Sequence, residues 1–194
     1  MAVLSKNRPD WGRLYETAAA CGGYFSTRQA AESGYSVQLL KKHVGAGRLR
    51  RARRGIYRVV HFPAGEHEDL IEIWLWSGLA GVFSHETALA LQDLSDALPG
   101  RIHLTLPASW QRRRLRVPRG VVLHFADVAR ADQTWVDAIP VTGPRRTIAD
   151  CIVADVQPDL VRQALQQAGG NGSISREEAM ELRRLLKRHG CVRP

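Results

Sequence analysis

The stretch Ser26–Val60, STRQAAESGYSVQLLKKHVGAGRLRRARRGIYRVV, decides the fold. Ser26-Thr27-Arg28-Gln29 is a Ser-x-x-Gln capping box: the serine accepts a backbone N–H and the glutamine reaches back. Ala30 and Ala31 suit a short helix, and Gly34 ends it in a left-handed turn. Ser36 caps a second helix over Val37–Ala46. Val37, Leu40 and Val44 fall at i, i+3 and i+7 and predict its buried stripe. Gln38, Lys41, Lys42 and Gly45 fall on the other side. Gly47 stops the helix, and Leu49–Arg51 and Ile56–Val60 pair as a hairpin with Arg53, Arg54 and Gly55 at its tip. Two capped helices followed by an arginine-rich hairpin are the order of a winged helix-turn-helix.

Outward from this stretch, Trp11–Ala20 reads as a third helix of the same module, with Leu14 and Ala18 on its apolar side, ended by Gly22-Gly23. Tyr24-Phe25 reads as a short edge strand pairing with the hairpin, where Tyr57 and Val59 alternate with Arg58. The turn cluster Phe62-Pro63-Ala64-Gly65 marks a domain boundary. The expected division is a DNA-binding domain over 1–62 and a second domain over 66–194.

In the second half strands and helices mix. Helices are expected over 66–78, 85–92, 144–153, 160–168 and 175–189, and short strands over 82–83 and 139–141. Ile102, Leu104 and Leu106 alternate with His103 and Thr105, and Val121, Leu123 and Phe125 alternate with Val122 and His124, so two paired strands follow. An arginine-rich loop or hairpin end, 107–119, joins them. The fold class is therefore α+β: an N-terminal winged helix-turn-helix, then a mixed α/β domain with a small sheet.

The formal net charge is +9. Between Met1 and Phe62 twelve Lys/Arg face three acids, Asp10, Glu16 and Glu32, so this segment alone nets +9. The remainder carries sixteen of each sign. A concentrated positive field suits phosphate neutralisation, with salt-dependent and sequence-independent affinity. A membrane surface would also require bulky apolar residues beside the basic ones, and here the apolar positions serve a core. No apolar run spans a bilayer, and the N-terminus lacks a signal-peptide core. Cys21, Cys151 and Cys191 are odd in number and far apart, which predicts neither a disulfide framework nor a structural zinc site. Idle thiols in a reducing cytoplasm follow.

The expected DNA contacts are Tyr35, Ser36, Gln38, Lys41 and Lys42 on the second helix, with Arg51, Arg53 and Arg54 at the hairpin. Gln38 suits an adenine edge, the lysines suit guanine or phosphate, and the helix N-terminus at Tyr35 and Ser36 suits phosphate. Arg112, Arg113, Arg114, Arg116 and Arg119 form a second basic cluster, either a solvated loop or an additional nucleic-acid contact. No catalytic set, metal or cofactor is expected. His85-Glu86, His103, His124 and Asp150 are polar candidates, and two histidines on paired strands can meet a metal. No metalloenzyme spacing is present, however, and Asp127 and Asp132 lack the lysine of a restriction-type nuclease.

The ordered segments RRGIYRVV, FSHETALAL, RIHLTLP, GVVLHFADV and IPVTGPRRTIADCI, over roughly 22–165, resemble the AbiEi type of antitoxin, the repressor component of bacterial type IV toxin–antitoxin systems. The resemblance implies a cytoplasmic, non-enzymatic repressor that binds inverted repeats in its own promoter. It further implies a second domain serving antitoxicity, and a nucleotidyltransferase toxin countered without a stable complex. tRNA is a further partner it suggests. The rival readings are a nuclease-related enzyme targeted by its winged helix and an RNA-binding or toxin-docking protein.

Overall fold

The computed structural model describes residues 8–190, so Lys6 and Cys191 lie outside the described residues. Among those residues the chain is α+β, with eight α-helices and two small sheets, and it divides into units Met1–Leu79 and Ala80–Pro194.

The first unit runs α1 (Trp11–Ala19), β1 (Tyr24–Ser26), α2 (Thr27–Glu32), α3 (Val37–Gly45), β2 (Leu49–Arg53), β3 (Ile56–Val59) and α4 (Glu68–Trp76). Local chemistry sets the helix starts. Asp10 accepts from the Arg13 amide at 3.0 Å and caps α1. The capping box at α2 is complete: Gln29 N donates to Ser26 Oγ at 3.2 Å, and Ser26 N donates to Gln29 Oε1 at 2.8 Å. Ser36 Oγ accepts from Leu39 N at 3.3 Å and caps α3. Between α2 and α3 the chain reverses at Gly34, whose φ of +81° a side chain would strain.

The strands form one antiparallel sheet in the order β1-β3-β2. Its two faces bury different things, as strand alternation requires. Phe25, Leu49, Tyr57 and Val59 face the core that includes Leu14 and Ala18 of α1, Ala30 of α2 and Leu40 of α3. Tyr24 and Arg58, paired across β1 and β3, face the other way. Both bond Glu68 of α4: Tyr24 Oη donates to Oε2 and Arg58 Nη2 to Oε1, each at 2.7 Å. These bonds explain why the unit boundary falls at Leu79/Ala80 and not at the 62–65 turn: α4 covers the second face of the first sheet.

The second unit runs β4 (Val82–Phe83), α5 (His85–Leu91), β5 (Ile102–Leu106), β6 (Val121–Phe125), β7 (Gln133–Val136), β8 (Ile139–Thr142), α6 (Pro144–Val153), α7 (Pro158–Gly170) and α8 (Arg176–Gly190). Its sheet has the order β6-β5-β4-β8-β7. The pairing of β5 with β6 is parallel, so the arginine-rich segment between them is a crossover loop and not a hairpin end. Strand β7 has no counterpart in the sequence reading; it joins β8 through Asp137-Ala138, with Asp137 at φ 51°. Leu89 of α5, Ile148 and Cys151 of α6, Val161 and Leu165 of α7 and Leu182 of α8 form one buried cluster.

Candidate nucleic-acid interface

Helix α3 buries a different stripe from the expected one. Leu40 is fully buried, with Leu39 and Val44 packed against the same core, whereas Val37 is 45% exposed. The place assigned to Val37 is taken by aromatic packing. His43 stacks on Trp11 with ring centroids 5.6 Å apart, and Tyr35 meets His43 edge-on at 5.6 Å. Positions 40, 43 and 44 satisfy helical spacing as well as 37, 40 and 44 do, and half-buried His43 packs between the buried Tyr35 ring and the partly exposed Trp11 ring. Burial, then Arg48 and Lys42, lowers the pKa of His43, which favours the neutral ring.

The opposite face of α3 presents Val37, Gln38, Lys41, Lys42 and Gly45, all exposed. Ser36 is exposed at the helix start. Tyr35 is not on this surface: at 4% exposure it belongs to the core.

The hairpin carries its basic residues in three distinct states. Arg51 and Arg54 are exposed. Arg53 donates from Nε to Glu72 Oε2 of α4 at 2.7 Å. Arg58, 8% exposed, is held by Glu68 and by the carbonyls of Phe62 and Pro63. A register shift between Arg51 and Arg53 bends the strand near the tip. The tip is Arg54-Gly55, with Gly55 at φ +79°, and its carbonyl accepts from Thr27 N at 2.8 Å and Thr27 Oγ1 at 3.1 Å. The start of α2 thus fixes where the tip points.

Over the whole first unit, twelve Lys/Arg face seven Asp/Glu, a net of +5; the second unit has sixteen against twelve, a net of +4. Divided at Leu79/Ala80 the charge is therefore nearly even, whereas divided at Phe62 it is +9 and zero. The difference comes from α4 and the turn before it, which bring Glu68, Asp69 and Glu72, and Glu66, into the basic unit. Two of these neutralise Arg53 and Arg58, leaving Lys41, Lys42, Arg48, Arg50, Arg51 and Arg54 exposed along α3 and the hairpin.

In the second unit Arg112, Arg113, Arg114, Arg116 and Arg119 are exposed in the β5–β6 crossover. The Arg113 guanidinium lies 4.1 Å from the centre of the Trp110 ring, a cation–π contact. The polar candidates divide into two groups. His85, His103 and His124 come together, with Glu86 Oε2 3.4 Å from His103 Nε2. Asp150 pairs with Arg146 at 2.8 Å, and burial raises its pKa against that pairing. Neither Asp127 nor Asp132 joins the histidines. Among the described residues no helix is long and apolar enough to cross a membrane.

No curated protein matches the chain. Among solved structures, that titled "Crystal structure of RV2827C protein from Mycobacterium tuberculosis" is similar at 16% identity, with 97% of this chain and 82% of that one covered and a TM-score of 0.43. Residues 13–60, a shorter span than the expected 22–165, match the family described as "Transcriptional regulator, AbiEi antitoxin", so the segment bearing α3 and the hairpin is similar to AbiEi antitoxin regulators.

Proposed function

We propose that the protein is a sequence-specific repressor that binds duplex DNA through a winged helix-turn-helix, with α3 as recognition helix and the β2–β3 hairpin as wing. The observation that carries this reading is the exposed Gln38-Lys41-Lys42 face of α3, with a hairpin bearing exposed Arg51 and Arg54, in a segment similar to antitoxin regulators. The arrangement suits both parts of DNA recognition. Gln38 has the amide for an adenine edge, and exposed Val37 suits a thymine methyl. Lys41, Lys42 and the Ser36 end of the helix suit phosphates, whose contacts fix register. Arg51 and Arg54 reach a neighbouring groove or backbone, while Arg53 is held back by Glu72. Tyr35 supports this surface from below and does not touch DNA.

In cells the reading is a cytoplasmic antitoxin that represses its own promoter through inverted repeats. Its functional partner is a nucleotidyltransferase toxin with which it forms no stable complex. Two copies on one operator gain affinity through the shared duplex. The test is fluorescence anisotropy on the DNA upstream of its own gene, in a salt series. Lys41→Ala and Arg54→Ala each weaken binding and reduce the salt slope by about one for every phosphate left without its cation. Equal affinity for promoter and random duplex in the wild type removes the repressor reading. Magnesium-dependent cleavage of that DNA, abolished by chelator, turns it into the nuclease reading. Tighter binding to tRNA than to promoter assigns the function to the Arg112–Arg119 loop.

A further inference from the structure

Three imidazoles from three elements meet in the second unit, on ground the DNA-binding reading does not use. His85 opens α5, His103 lies in β5 and His124 in β6. The parallel register places Thr105 beside His124 and His103 beside Val122, so alternation turns His103, Thr105 and His124 to one face of the sheet. His124 Nε2 lies 3.0 Å from His103 Nδ1, and the His85 ring stacks on His124 with centroids 3.6 Å apart. One ring nitrogen from each residue can be chosen so that all lie within 4.8 Å of one another. Nitrogens bound to zinc at about 2.0–2.1 Å in a tetrahedron stand roughly 3.3 Å apart. Side-chain rotation on the order of 1 Å, tilting His85 and His124 out of their stack, makes up the difference.

The surroundings present the right lone pairs. His85 Nδ1 is 2.9 Å from Ser84 Oγ, which also accepts from Thr105 Oγ1 at 2.8 Å. A proton on Nδ1 directed at Ser84 leaves Nε2 as the ligand atom. Glu86 Oε2 faces His103 Nε2, which leaves His103 Nδ1 as the ligand atom. Carboxylates and hydroxyls behind histidines orient metal ligands in this way. Burial, then the neighbouring imidazoles, lowers the pKa of His85 to about 3, and burial followed by His103 lowers that of His124 to about 4. Neutral rings carry the lone pairs that a cation needs.

A packed interior alone does not account for the arrangement. His85 holds φ +53°, a left-handed conformation, while 7% exposed at a helix start. Such backbone is strained for a non-glycine residue and persists where the surroundings enforce it. Three apolar side chains would fill the same space without opposing polar ring edges.

We propose that His85, His103 and His124 form a binding site for a zinc-class divalent ion, with Glu86 orienting His103 from behind. Three nitrogen donors beside one carboxylate select zinc over magnesium or calcium, which take oxygen ligands.

The test uses the full chain, stripped with chelator, desalted and given Zn2+ alone. One equivalent is retained through gel filtration, and Co2+ in its place gives the visible absorption of a four-coordinate site. The double variant His103→Gln/His124→Gln, checked for folding by circular dichroism, loses that equivalent. Glu86→Gln keeps it with about 10–100-fold weaker binding. His61→Gln/His67→Gln, in the first unit, keeps it unchanged. A wild-type chain that retains no equivalent overturns the site, as does a folded double variant that retains one. Should the double variant fail to fold, nitrogen NMR of the wild-type histidine rings decides. Zn2+-induced shifts confined to these three rings support the site, and their absence overturns it.

Discussion

Arg58 and Glu68 form the ion pair that joins the middle strand of the first sheet to α4, Nη2 to Oε1 at 2.7 Å. Burial tends to raise the pKa of Glu68. Hydrogen bonds from Tyr24, Arg58 and Gly65 outweigh it, so the carboxyl titrates below its usual range. The same pair acts on Tyr24, whose hydroxyl is pushed up to about 12 by burial and then by the Glu68 carboxylate. A group with a lowered folded pKa stabilises the fold above its unfolded pKa and loses that contribution as pH falls through the folded one. Thermal stability of the first unit therefore declines as pH drops below the ordinary glutamate range, and Glu68→Gln flattens the decline. Arg58→Ala costs about 2–3 kcal/mol, because it leaves a half-buried carboxylate without its partner. A denaturant midpoint unchanged in Arg58→Ala contradicts the assignment.

Arg53 lies at the hairpin tip but is engaged by Glu72. Glu72→Gln removes the partner and frees a cation beside Arg54. DNA affinity then rises, and the salt slope steepens by about one. Anisotropy on random duplex reads this directly, since phosphate contact does not depend on sequence. A slope unchanged from wild type means that Arg53 has no phosphate within reach.

Tyr35 and Val37 are two residues apart and on opposite sides of the surface. Tyr35→Ala removes a ring packed against Trp11 and His43, with an expected cost of about 3 kcal/mol. Val37→Ala changes stability by no more than about 0.5 kcal/mol, as exposed substitutions do. It reduces affinity for the promoter while leaving random duplex unaffected. Equal unfolding midpoints for the two variants would contradict the placement of the helix.

Much of the first unit is legible in its sequence, because caps and turns are local chemistry. Ser26, Gln29, Ser36 and Gly34 announce α2 and α3, and the alternation at Tyr57–Val59 announces the hairpin. What escapes depends on partners distant in sequence. Arg58 reads as one more free cation until Glu68 lies against it. Val37 and His43 both satisfy helical spacing, and only the position of Trp11 decides between them. Strand β7 is four residues, Gln-Thr-Trp-Val, with its two apolar residues adjacent and Trp135 exposed, so no apolar alternation marks it. His103 and His124 are visible as polar strand positions, but His85 joins them only through its left-handed backbone.

The division of the chain gives the last prediction. A fragment ending at the 62–65 turn retains α1–α3 and the hairpin but leaves the Tyr24–Arg58 face of its sheet bare. It loses Leu70, Ile71, Ile73, Trp74 and Leu75, all buried, and exposes Arg58 without Glu68. Burying such side chains is worth about 1.5–3 kcal/mol each, comparable in sum with the whole stability of a small domain. A fragment of residues 1–79 therefore unfolds cooperatively on heating, whereas 1–62 shows no cooperative transition. Near-ultraviolet circular dichroism of both fragments checks this, and a cooperative melt of 1–62 at the temperature of 1–79 would show that α4 adds nothing to the unit.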